Sequence, residues 1–206
     1  IEFGSTRIKA VLLDEKHAIV KSGDYTWKSS LENGVWTYHM EDVQEGLRTA
    51  IRNLGELPGK ISAMGVSGMM HGYLAFDKDW NLLAPFRTWQ NTMTGEAADK
   101  LTEAFGFNIP QRWSAAHLYQ AVLNGEPHVK NIAHVTTLAG YVHYLLTGEN
   151  VLGVGEASGM FPIDSETLTY DAAMLDKFDA LMAKYGFDWN IRAVLPEVRT
   201  AGQSAG

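Results

Sequence analysis

Cysteine is absent from all 206 residues. That excludes a disulfide scaffold, a thiolate zinc site and a cysteine nucleophile, and it suits a reducing compartment. No apolar run reaches about 18 residues, so no membrane-spanning helix is expected. A secretory signal and an Asn-x-Ser/Thr acceptor are missing as well, and the expectation is a soluble cytoplasmic α/β domain. Positive charge is scarce, with 17 Lys and Arg against 24 Asp and Glu, and the net charge of −7 argues against nucleic acid or an anionic membrane surface as main partner. There is no Walker-type Gly-Lys-Ser/Thr loop, so any nucleotide is bound by other means. His39, His117, His128, His134 and His143 show no metal-ligand spacing. What is present is core material: 46% of the residues are hydrophobic, which rules out a disordered chain.

No repeat or low-complexity tract interrupts the chain. Residues 8–14 and 18–27 read as strands, so that residues 1–27 form an antiparallel meander. Asn33-Gly34 is a turn dipeptide. Val43, Leu47, Ala50, Ile51 and Leu54 then share one helical face, with Glu41 and Asp42 in the first turn and Pro58-Gly59 as the stop. Residues 61–66 form a short apolar strand, and residues 73–77 and 82–86 a hairpin across Lys78-Asp79-Trp80-Asn81. A helix follows from Thr94, with Ala97, Ala98, Leu101, Ala104 and Phe105 facing the core. Further helices are expected at 115–124, 137–147 and 171–185. This succession makes a mixed-sheet α/β domain with a helical second half. The sequence opens at Ile1 and closes on a small-residue stretch after Thr200, and a fragment of a longer protein is expected.

Three segments carry candidate chemistry. In Glu2-Phe3-Gly4-Ser5-Thr6-Arg7-Ile8-Lys9 a carboxylate leaves a strand, a glycine allows a tight turn, and two hydroxyls and a lysine follow. Such a hairpin can offer amides and hydroxyls to phosphate oxygens while the carboxylate holds a hydrated magnesium ion. The same residues also suit a plain Gly-Ser turn. In Gly65-Val66-Ser67-Gly68-Met69-Met70-His71-Gly72, glycines let a ligand approach the backbone, and His71 can bond a hydroxyl. A glycine-lined strand end with a satisfied histidine fits equally. A nucleophile elbow does not, because Met69 stands where its second glycine must be. In Trp89-Gln90-Asn91-Thr92 the indole can stack on a sugar ring while the amides bond its hydroxyls, or the tryptophan can be buried at a strand-to-helix junction. Gly153-Val154-Gly155-Glu156-Ala157-Ser158-Gly159 misses the dinucleotide fingerprint by one position.

Together and in this order, the segments resemble the N-terminal domain of the FGGY family of carbohydrate kinases, which includes xylulokinase, ribulokinase and glycerol kinase. The family opens on Asp-x-Gly-Thr-Thr/Ser-x-x-Lys/Arg, and residues 2–9 are similar, with Glu2 at the aspartate position. Gly68-Met69-Met70-His71-Gly72 resembles the xylulokinase-like Gly-x-Met-His-Gly. Trp89-Gln90-Asn91 resembles the family's Trp-Gln/Asn/Asp-Asp-x-Arg without the arginine. Ser114-Ala115-Ala116-His117 is similar to Ser-Ala-x-Lys, with His117 at the lysine position. Leu146-Thr147-Gly148-Glu149 and Glu156-Ala157-Ser158-Gly159 resemble Thr-Gly-Glu and Asp-Ala-Ala/Ser-Gly.

The resemblance implies the ribonuclease H-like fold of actin and hexokinase, a mixed five-stranded sheet flanked by helices, with residues 1–206 as one sugar-binding domain. It implies ATP-dependent phosphorylation of a small ketose by the full-length protein, with ATP and Mg2+ as cofactors. Glu2 would act near the metal through water, Gly4, Ser5, Thr6 and Lys9 near the phosphates, and Met70, His71, Trp89, Gln90 and Asn91 on the sugar. In the family a Gly-Gly-x-Asp segment supplies the aspartate that deprotonates the sugar, and a nucleotide-binding domain follows; neither is in this sequence, so the isolated chain is expected to be inactive. The implied partner is a small sugar, with no nucleic acid and no membrane, and a homodimer is left open. The alternative is a non-catalytic carbohydrate-binding or regulatory domain with a kinase-like fold, favoured by Glu2 and the missing arginine. A chaperone-type ATPase of the same superfamily would need neither the Met-His-Gly nor the Trp-Gln-Asn segment.

Overall fold

The computed structural model describes residues 1–57 and 59–206. The chain divides into two compact units, Ile1–Met69 and Met70–Gly206.

The first unit begins with the expected meander, β1 (Glu2–Phe3), β2 (Arg7–Leu13) and β3 (Ile19–Thr26), paired antiparallel in sequence order. Alternation decides the faces: Ile8 and Ala10 of β2 are buried, while Arg7, Lys9 and Val11 point away. A small hairpin of β4 (Ser30–Glu32) and β5 (Val35–Thr37) turns at Asn33-Gly34. Both turn residues have positive φ, 49° and 83°, as a two-residue turn matched to strand twist requires. Helix α1 (Met40–Arg52) buries Val43, Leu47 and Ala50 and keeps Glu41 and Asp42 in its first turn. Of the expected stop, Pro58 lies outside the described residues.

Two expectations are corrected in this unit. Residues 61–66 are not a strand; the strand is β6 (Ser67–Gly68), parallel to β1 through Glu2↔Ser67 and Phe3↔Gly68. The reason is pairing, because β1 offers only two residues and Ile61 and Met64 remain exposed. The sheet is mixed as expected, but among the described residues it has four strands, in the order β3-β2-β1-β6, rather than five. The other strands pair among themselves in twos.

In the second unit β7 (Leu74–Phe76) pairs antiparallel with β8 (His134–Thr136). The hairpin expected at 73–86 exists as two isolated bridges, Tyr73↔Arg87 and Phe76↔Leu82, instead of a ladder. Pro85 carries no amide to donate, and the Asp77 carboxylate closes the turn by accepting from the amides of Asp79 and Asn81. The helices fall where the periodicity places them: α2 (Gly95–Phe105), α3 (Ser114–Leu123), α4 (Leu138–Thr147) and, after β9 (Val151–Gly153) and the single turn α5 (Val154–Ala157), α6 (Ala172–Met182). A last turn, α7 (Ile191–Val194), leads to β10 (Glu197–Arg199), parallel to β9. Phe161 centres the core, its ring meeting Phe105 at 5.6 Å and Phe178 at 6.0 Å. Helix α3 is buried almost all round, so its polar side chains need internal partners. Ser114 and Gln120 have them. Among the described residues no helix is long and apolar enough to cross a membrane.

Candidate functional site

The candidate residues lie in both units. In the first, register places Glu2 opposite Lys9, with the carboxylate 3.9 Å from the ammonium and both side chains about half exposed. The intervening turn is tied down from one side. Trp27 Nε1 donates to the Gly4 carbonyl at 2.7 Å, the Tyr38 hydroxyl to the Ser5 carbonyl at 2.6 Å, and the Trp27 amide to the Thr6 carbonyl at 3.2 Å. Phe3, Trp27 and Tyr38 form an aromatic base, with centroids 5.9 and 4.2 Å apart. Burial raises the Tyr38 pKa, which keeps its hydroxyl protonated and donating. With three successive carbonyls occupied, the amides of Ser5 and Thr6 have no protein acceptor among the described residues, and both residues are exposed. Exposed amides, two hydroxyls and a nearby ammonium suit an anion such as a phosphate. No cluster of three or more His, Cys, Asp or Glu able to hold a bare metal occurs among the described residues. A hydrated cation on the single Glu2 carboxylate is the form that fits this donor set.

In the second unit, His71 has φ of 71°, a left-handed conformation that non-glycine residues hold only under constraint. The constraint is visible. Its ring Nδ1 lies 3.3 Å from the Gly159 carbonyl, and a Cβ on Gly159 would stand 2.6 Å from that nitrogen and 3.1 Å from Met70 Cε. Gly72, with φ of 98°, donates to the Arg112 carbonyl and accepts from the Ser114 hydroxyl at 2.6 Å. Burial pushes the His71 pKa below its ordinary value, with the Gly159 bond opposing and the Arg112 charge adding to it. Because a carbonyl only accepts, the neutral ring carries its proton on Nδ1 and presents Nε2 as an acceptor. Such an atom can accept a hydrogen bond from a hydroxyl group.

Trp89 is 45% exposed, which removes the reading of a buried junction tryptophan and leaves its face open for stacking. Gln90 is half-buried. Asn91 is buried, and its Nδ2 donates to the Thr88 carbonyl at 3.0 Å, so its amide nitrogen holds the turn that presents Trp89 and Gln90. The bridge Tyr73↔Arg87 joins the two segments, each two residues from it.

Several supports carried no local mark: Trp27 and Tyr38 under the hairpin, Thr88 in the turn that carries Trp89, and Arg87 just before it. Ser114, Glu156 and Gly159 lie in segments noted for their likeness to the family, which was the only available signal for them. Glu156 is half-buried, and burial raises its pKa against an opposing hydrogen bond from Thr137.

Residues 1–206 match the family model for the N-terminal domain of the FGGY family of carbohydrate kinases. A glycerol kinase from Thermococcus gammatolerans is 24% identical over 223 residues, covering all of this chain and 43% of that protein. A xylulose kinase from Haemophilus influenzae is 23% identical over 227 residues, covering 97% of the chain and 46% of the relative. The structure of a gluconate kinase from Lactobacillus acidophilus superimposes with a TM-score of 0.83 at 19% identity over the whole chain and 42% of that structure, which establishes the shared fold. The chain thus spans less than half the length of the curated relatives it matches. It belongs to the FGGY family of carbohydrate kinases.

Proposed function

We propose that this chain is the N-terminal, sugar-binding domain of an ATP-dependent kinase acting on a small ketose such as a pentulose or hexulose. The observation that carries this reading is the His71 loop: a constrained, neutral histidine anchored through Nδ1 keeps its other nitrogen available to a hydroxyl. Met70 and the exposed Trp89 supply apolar surface for the sugar ring, and Gln90 a polar contact. The hairpin at Gly4 serves phosphate oxygens through the Ser5 and Thr6 amides and Lys9, and Glu2 would hold the water shell of Mg2+. When bound, the metal neutralises phosphate charge; the protein's own share is positioning and electrostatic stabilisation.

Within the family the base that deprotonates the sugar comes from a Gly-Gly-x-Asp segment, which these residues do not contain. The isolated chain is therefore expected to show no kinase turnover, since part of a cleft neither excludes water nor assembles both substrates. An ATP-coupled assay of the full-length protein with D-xylulose, L-ribulose, L-fuculose and glycerol tests the activity. Turnover with a ketose supports the proposal, and no turnover with any of the four refutes it. Calorimetry on the 206-residue chain addresses the other class, because strong sugar binding by the chain alone would favour a stand-alone binding module.

A further inference from the structure

We propose that Arg87 is a positioning residue that holds the His71 loop and the Trp89 turn in one register through a closed circuit of buried and half-buried side chains. Its functional meaning rests on the sugar-pocket reading above, while the circuit itself stands on geometry alone. Tyr73 and Arg87 form a single antiparallel bridge, in which the Tyr73 amide donates to the Arg87 carbonyl at 2.8 Å and the Arg87 amide to the Tyr73 carbonyl at 3.1 Å. Toward the far end of this hairpin the next bridge is Phe76↔Leu82. Beside it the Leu83 amide donates to the Ala75 carbonyl at 2.9 Å, so among the described residues Tyr73↔Arg87 is the one bridge that sets the register at the site end.

The side chains of the same two residues meet a second time. The Arg87 guanidinium pairs with the Glu126 carboxylate, which lies 3.5 Å from His128 Nδ1. His128 Nε2 lies 2.9 Å from the Tyr73 hydroxyl, and the guanidinium returns over the Tyr73 ring, 5.3 Å from its centroid. The proton order follows from what each group can do. A carboxylate only accepts, so the neutral His128 ring carries its proton on Nδ1 and accepts the Tyr73 hydroxyl proton on Nε2. One positive and one negative charge cancel within the circuit, while Arg87 Nη1 is buried without a hydrogen-bond partner among the described residues.

Both ends of the circuit reach the candidate site. Gly72 lies directly on the Arg87 carbonyl, where a Cβ would come within 2.6 Å. After Arg87 the chain enters the Thr88–Asn91 turn that carries the exposed indole. Arg87 and Tyr73 are 6% and 1% exposed, and charged side chains are rarely buried to that extent unless paired. Removing the guanidinium would leave the Glu126 carboxylate beside His128. The histidine would then be drawn to take up a proton, and in that state its Nε2 can no longer accept from Tyr73. The perturbation therefore runs back to the bridge rather than spreading evenly through the core.

Amide hydrogen exchange on the 15N-labelled 206-residue chain tests this without any ligand. In the unmodified chain the Tyr73 and Arg87 amides should exchange about tenfold more slowly than those of Asp77 and Leu83 in the same hairpin. Glu126→Gln and Arg87→Met should each speed exchange at Tyr73 and Arg87 by about tenfold beyond the change at the slowest core amides. They should also shift the His71 and Gly72 amide resonances and the Trp89 indole resonance. Arg87→Lys should recover part of the protection, and the core variant Val194→Ala should lower stability without selective loss at the bridge. If Arg87→Met does not fold, Glu126→Gln and the unmodified chain still decide the matter. Equal protection at all four amides, or acceleration at the bridge no greater than in the core, would overturn the proposal. Failure here leaves the kinase reading standing, and a failed kinase assay leaves the circuit standing.

Discussion

Replacing His117 by leucine should make this protein more stable, and increasingly so as the pH falls. The ring is completely buried in α3, 6.3 Å from the Tyr73 ring at an interplanar angle of 23°. Ser114 and Gln120 on the same helix have hydrogen-bond partners, but neither nitrogen of His117 has one among the described residues. A buried polar group without a partner costs about 1–3 kcal/mol, so leucine should add about 1–2 kcal/mol near neutral pH once its different shape is allowed for. The second effect is linkage. Burial, and then the Arg87 charge, push the His117 pKa from 6.5 down to about 3. Between those values the unfolded chain binds a proton that the folded chain refuses, so stability is full above the unfolded pKa and falls as the pH drops toward 3. The slope is about 1.4 kcal/mol per pH unit, which amounts to about 2 kcal/mol by about pH 5. That figure depends on the unfolded pKa and holds for any folded value well below 5. Urea denaturation at about pH 7.5 and about pH 5 reads it directly, because carboxylates common to both proteins cancel in the difference. The advantage of His117→Leu should grow by about 2 kcal/mol between the two conditions. Parallel curves would show that His117 titrates normally in the folded state, and the burial argument would fail.

Three further substitutions separate the parts of the site. Gly159→Ala places a methyl 2.6 Å from His71 Nδ1 and should cost about 1–3 kcal/mol while displacing the ring; the His71 side-chain 15N shifts report it, and unchanged shifts would refute the platform role of Gly159. Glu156→Gln removes a carboxyl whose pKa is raised by burial. The folded state holds that proton after the unfolded state has lost it, so stability declines as pH rises; thermal melts at about pH 8 should show the variant equal to or above the parent, and a marked loss would reveal an ionised, functional Glu156. Trp89→Ala alters an exposed indole and should leave stability within about 0.5 kcal/mol; on the proposed sugar-pocket reading it should lower the sugar affinity of the full-length protein, as calorimetry would record.

The parts of this protein that were legible in its sequence are those whose signals are local. Val43, Leu47 and Ala50, or Ala97, Leu101 and Phe105, repeat at the helical period, and both helices lie where that stripe places them. Asn33-Gly34 carries its turn in two residues. Residues 61–66 looked like a strand because apolar residues suit one, but a strand exists only where a neighbour pairs with it, and β1 offers two residues. The site divides along the same line. Candidate ligand contacts are proposed from short segments whose chemistry is local: hydroxyls at a glycine turn, a histidine between glycines, an indole beside amides. Their supports come from far along the chain. Trp27 reaches Gly4 across 23 residues, Ser114 reaches Gly72 across 42, and Gly159 meets His71 across 88. Nothing in the spacing of a buried glycine or tryptophan announces such a contact, and the pairing of Arg87 with Glu126 across 39 residues leaves no periodic trace at all. Resemblance to the family could suggest residues that meet ligands, but it could not supply Arg87, because that residue matters here through a partner rather than through a motif.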